Sequence, residues 1–276
     1  MKISHDPKLY VQKNRIIIYE KNTQEQYMTW IIYTILPIII ALALSALITI
    51  YIDPVFHYHK PLKNYEYPIN DERHQNDGIT RHFEYDSIIT GTSMSENFKT
   101  SEADEMFHAN FIKVCFSGGY FKEINDNLQK AFNTHKNVKY IIRSLDYSYL
   151  IADKNASAKY DYPTYLYNKN PFDDVNYIFN KSILLTQTMK VVEYTKEGKQ
   201  TTSFDEYANW NDHYTFGADT VLATYTLKEK AKTKQTISNE DCIMILENIR
   251  QNVTDLADAH PETTFYLFFP PSIIMI

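Results

Sequence analysis

Cysteine, glycine and net positive charge are all scarce in this chain of 276 residues. Its two cysteines, Cys115 and Cys242, stand alone, with no Cys-x-x-Cys or Cys/His spacing. That excludes a zinc-type site and predicts two buried free thiols, with a pairing of the two as the alternative. No cofactor-binding pattern occurs, so neither a cofactor nor a metal is expected. The formal charge is -6 and no basic stripe is evident, which argues against a nucleic-acid partner. Only six glycines are present, so each is expected to have a positional reason.

Charge is missing altogether from residues 30–52, "WIIYTILPIIIALALSALITIYI". Such a run is long enough to cross a bilayer as a helix. Trp30 and Tyr51 stand near its ends, where amphipathic rings favour the interface, and Pro37 is tolerable in a membrane helix. A cleaved signal peptide is the competing reading. The polar lead of residues 1–29 and the length of the run argue for an uncleaved anchor. Lys13, Arg15 and Lys21 precede the span and Lys60 and Lys63 follow it. This bias predicts a cytoplasmic tail of residues 1–29 and an extracytoplasmic body in a single-pass protein of the cell membrane.

Pro54, Pro61 and Pro68 recur through a polar, aromatic stretch, so residues 53–84 read as an extended stalk. An alternation then begins. "DSIITG" (86–91), "NFIKVCFSGG" (110–119), "VKYIIRSLDY" (138–147) and "TTFYLFFPP" (263–271) read as strands. Ser101 to Asp104 resembles a capping box opening a short helix. Phe121, Ile124, Leu128, Ala131 and Phe132 mark one face of a second helix, and a third starts near Ser238. Strands alternating with helices predict an α/β domain with a parallel sheet over residues 85–276. A Tyr-rich, partly helical segment at about 150–235 is too long for a crossover and reads as an insertion.

Ligands of such sheets bind off the carboxyl ends of the strands, and Gly91, Gly118 and Gly119 lie at two of those ends. Ser93, between strand and helix, is placed as a nucleophile or as an ordinary turn-capping hydroxyl. Gly118 and Gly119 are either backbone donors near a substrate or a tight turn. Asp146 either orients a partner or caps the next turn.

"YDSIITGTSMSENF", "FSGG", "LDY" and "FYLFFPP", in this order, resemble the SGNH/GDSL hydrolase superfamily. The nearest likeness is its membrane-anchored bacterial branch, which includes teichoic-acid D-alanyl transfer and alginate acetylation proteins. The resemblance implies a flavodoxin-like three-layer fold and ester chemistry, as esterase or acyltransferase, on a cell-envelope polysaccharide or teichoic acid. It implies Ser93 as nucleophile and Gly118, or alternatively Gly119, as oxyanion-hole donor. Asp146 stands where the family's third block has asparagine. The family's Asp-x-x-His block, which supplies the base, does not follow "FFPPSIIMI". The pattern occurs only at "DERH" (71–74), ahead of the first strand. The expectation is therefore a C-terminally truncated, inactive form lacking the last strand-helix unit. A non-catalytic accessory or binding protein is the alternative.

Overall fold

The computed structural model describes residues 7–135, 137–158, 162–168, 170–211, 214–215, 217–224 and 237–270. The chain divides into two units, Met1–Tyr51 and Ile52–Ile276. The first is one helix, α1 (Pro7–Ile52), continuous through Pro37. Its stretch Gln24–Ile52 reaches a mean hydropathy of 2.7 and is long and apolar enough to cross a membrane. Trp30, Tyr33 and Leu47 are all more than 60% exposed. The helix also takes in residues 7–29, which read as a tail.

The second unit is α/β. Its sheet holds β1 (Ser87–Gly91), β2 (Phe111–Cys115), β3 (Tyr140–Ser144) and β4 (Thr264–Phe268), all parallel, in the order β2-β1-β3-β4. β1 and β2 are buried along their whole length, which is why their apolar residues do not alternate with polar ones, Lys113 apart. Ile88, Ile112, Val114 and Ile141 point to one face, where they meet α2 (Glu72–His82) and α4 (Phe121–Thr134) through Ile79, Ile124 and Leu128. Ile89 and Phe111 point to the other and pack on Ala103 of α3 (Thr100–Phe107). β4 pairs with β3 alone among the described residues, and Tyr266 and Leu267 stay exposed.

Residues 53–84 are not an extended stalk. Val55, Phe56, Tyr67, Ile69 and Ile79 are buried, and most of them lie in the main core. α2 buries Gln75, Asn76, Asp77 and Thr80 beside its one large apolar residue. Those polar groups are matched inside the protein. Gln75 Nε2 donates to Pro54 O (3.1 Å) and Pro68 O (3.0 Å), and Asn76 Nδ2 to Cys115 O (2.6 Å). Thr80 bonds Asn127, while Asp77 takes Arg81 and Lys130. A helix that buries hydrogen-bonded polar side chains has no apolar periodicity to betray it.

The insertion carries α5 (Thr164–Tyr167), α6 (Val175–Ile178), α7 (Thr188–Lys196) and α8 (Ala218–Thr224), with a π-helical turn at Ile183–Gln187. Residues 225–235 of it lie outside the described residues. Its Tyr207 is fully buried in the main core. Two helix starts differ in their caps. Ser238 and Asp241 form the capping box of α9 (Asn239–Ile249). Ser101 opens no such box: Lys99 is the N-cap of α3, and Thr100 and Ser101 donate to Asp205 of the insertion instead. α9 continues through a π-helical turn (Arg250–Thr254) into α10 (Asp255–Ala259). Both cysteines are free, but only Cys115 is buried. Cys242 is exposed because α9 turns its 242–244 face outward.

Candidate functional site

The chain runs from β1 to β2 on one side of it and then crosses back to β3 on the other, so the strand order reverses at β1. The gap created at the carboxyl end of such a strand is where open α/β sheets take ligands. Ser93 stands there. It begins a 3-10 turn, Ser93–Ser95, capped by Thr92, whose Oγ1 accepts the Met94 N–H at 3.4 Å. Gly91, the last residue of β1, has φ +144°, and a Cβ on it would lie 2.0 Å from Ser144 Oγ and 2.5 Å from Ser95 Oγ. Only glycine lets the strand end turn this close to its neighbour.

The turn is held from both sides. Toward β3, Asp146 Oδ2 accepts from Thr92 Oγ1 (3.1 Å) and its Oδ1 from Ser148 N–H (2.9 Å), while Ser144 Oγ receives Thr92 N–H (3.3 Å). Asp146 is thus both a cap and a tether, which places it beside Ser93 with its oxygens engaged. Toward β2, Phe116 N–H donates to Gly91 O (2.8 Å). The turn that follows holds exposed Gly118 at φ +62°. Gly119 N–H donates to Phe116 O (2.7 Å), so of the two glycine donors only Gly118 remains uncommitted among the described residues. From the insertion, Trp210 Nε1 reaches Ser93 O at 3.1 Å.

A buried charged cluster joins the Ser93 turn to the Gly118 turn. Glu72, in the first turn of α2, accepts Ser117 N–H at 2.7 Å, and Arg73 Nη2 donates to Ser117 O at 2.8 Å. Glu96 closes the Ser93 turn, is buried, and meets both Glu72 and the Ser117 side chain. Lys113 Nζ, in the buried strand β2, donates to Glu96 O (2.5 Å) and Phe98 O (3.1 Å). Burial, together with the charge of Glu96, pushes the Glu72 carboxyl up to about 8; burial likewise raises Glu96 and lowers the Lys113 ammonium. Two carboxyls in hydrogen-bond contact share a proton, because a second charge there is unfavourable.

The sequence reading passed over this cluster, although a lysine inside the apolar run "FIKVC" was its one visible signal. It also assigned "DERH" to a stalk. The structure sets Asp71 as the N-cap of α2, with His74 Nδ1 3.0 Å from Asp71 Oδ1. Burial raises the Asp71 carboxyl, but bonding to His74 outweighs it and leaves the group below its usual range. The pair flanks Glu72 and Arg73, so it belongs to the same end of the sheet. Ser93 Oγ nevertheless bonds to no histidine or carboxylate among the described residues; His213 lies outside them. No group of three or more His, Cys, Asp or Glu is placed to hold a metal among the described residues. Comparison of the chain with protein-family models, curated proteins and solved structures found no match.

Proposed function

We propose that the chain is a membrane-tethered, extracytoplasmic protein of SGNH type that handles acyl esters on a cell-envelope glycopolymer. In this reading Ser93 is the nucleophile and the Gly118 N–H faces the oxyanion. The observation that carries it is the placement of the Ser93 turn at the reversal of strand order, between the Gly118 and Asp146 turns. Backbone N–H groups at the opening of such a turn favour developing negative charge. The order β2-β1-β3-β4 agrees with the first four strands of a flavodoxin-like sheet, which supports the finer fold expected from the resemblance.

Asp146 acts here as a positioning residue. Its carboxylate does not serve as an oxyanion donor; each of its oxygens instead accepts a hydrogen bond, from Thr92 and from Ser148. A second reading has an observation of its own. Among the described residues Ser93 Oγ has no base in contact, and a serine without one is a weak nucleophile. That favours a non-catalytic accessory protein which binds the acylated polymer at the same edge. The full chain, in detergent micelles, should be treated with a fluorophosphonate probe at pH 7 to 9. Labelling that disappears in Ser93→Ala is the expected outcome. A folded but unlabelled wild-type protein would establish the accessory reading instead.

A further inference from the structure

Residue 53 is the first after the apolar helix and lies inside the second unit, tied to the insertion. Asp53 is fully buried and accepts the His57, Tyr58 and His59 N–H groups at 2.9, 2.7 and 3.0 Å. Its Oδ1 also takes Tyr177 Oη of α6 at 2.5 Å. Asp174 reinforces the junction, with His57 Nε2 at 3.2 Å and Tyr58 Oη at 3.1 Å. Val55, Leu166, Tyr177 and Ile183 form a small core beneath. Residues 172–189 are thus clamped to the chain within one residue of the point where it leaves the apolar helix.

Five of the nine residues that this segment exposes between 172 and 189 are large and apolar. Phe172 is 86% exposed, and Val175, Phe179, Leu185 and Met189 range from 46% to 58%. The other exposed residues between 172 and 189 are Asn176, Lys181, Ser182 and Thr186. No exposed residue there is acidic, in a chain of net charge -6. Asp173 and Asp174 both turn inward, Asp173 to Asn168 and Asp174 to the junction. A soluble surface seldom exposes so many large apolar side chains over so short a stretch of chain. An anionic bilayer surface repels acids and accepts phenylalanine, leucine and lysine at the headgroup level.

We propose that residues 172–189 are a second membrane contact, seating Phe172, Val175, Phe179, Leu185 and Met189 at the headgroup boundary of an anionic leaflet. The position is set by continuity with the span, since a chain advances only about 3.8 Å per residue from Ile52. Contact there holds the second unit against the bilayer instead of leaving it to swing on a tether. The proposal rests on the reading of residues 24–52 as a membrane span.

The test uses the full chain with Cys242→Ser, reconstituted in vesicles of phosphatidylcholine and phosphatidylglycerol. Phe172→Cys and Phe179→Cys carry an NBD fluorophore, with Met106→Cys on α3, 73% exposed, as the control. All three sites are exposed, so the fold is preserved. Blue-shifted emission and quenching by doxyl-labelled lipid several-fold stronger at 172 and 179 than at 106 is expected. Equal quenching at all three positions overturns the proposal. Blue-shifted but unquenched emission also overturns it, because protein rather than lipid then covers the patch. Alkaline carbonate reports separately on the span. A carbonate-resistant protein without quenching loses only the second contact, whereas an extractable protein with quenching loses the span and keeps the lipid-binding patch.

Discussion

Among the groups around Ser93, the Glu72 carboxyl is pushed up to about 8 by burial and by the charge of Glu96. Its proton is held in the folded state up to about pH 8, whereas an unperturbed glutamate releases it near 4.5. The folded form therefore binds more protons between those values, and stability falls as pH rises through that window. Glu72→Gln keeps an acceptor for Ser117 N–H and a neutral group against Glu96. The variant is expected to lose less stability than wild type between pH 5 and 8.5, compared by urea midpoints at both ends. Parallel pH dependence in the two proteins would mean that the carboxyls do not share a proton. The same residue explains part of what sequence reading missed. Glu72 and Glu96 are 24 positions apart and acquire their chemistry only when β2 brings Ser117 between them.

At the scale of elements, α2 is the part least visible beforehand, and its polar side chains tie it to β2, α4 and the insertion. Asn76 joins three elements, donating to Cys115 O and accepting from Tyr207 Oη at 2.7 Å. Asn76→Ala leaves a buried carbonyl and a buried hydroxyl without partners, each costing about 1–3 kcal/mol. A loss of roughly 2–4 kcal/mol in denaturant unfolding is expected; a change below about 0.5 kcal/mol would restore the stalk reading. β1, β2 and β3 were legible because each is a short, mostly apolar run with turn residues at its end. The cap of α3 was not, because Asp205, 104 positions beyond Ser101, outcompetes the local acid at Asp104.

For the whole molecule, the disposition across the bilayer is the open physical question that the apolar helix poses. In the proposed reading, Lys13, Arg15 and Lys21 ahead of the apolar helix put the N-terminus in the cytoplasm and the α/β unit outside. Protease added to intact cells is expected to degrade an epitope in the second unit and to spare one at the N-terminus. Survival of the second-unit epitope until the cells are permeabilised would reverse the orientation. The same experiment bears on the ester-handling proposal, since an envelope polymer is accessible only from outside.

Composition and periodicity by themselves determined the apolar helix, the parallel α/β sheet and the candidacy of Ser93, Gly118 and Asp146. Each of these rests on short-range patterns: an uncharged run, short, mostly apolar strands, small residues at strand ends. Tertiary structure alone decided which donors and acids stand together. Gly119 was separated from Gly118 by one turn hydrogen bond, and Asp146, an orienting or capping candidate, was made both cap and tether through Ser148 and Thr92. Residues 53–84 became core because their polar side chains find partners more than twenty positions away, in the chain around Pro54, in β2 and in α4. Hydrogen bonds between distant residues carry no period along the chain, so no local pattern announces them.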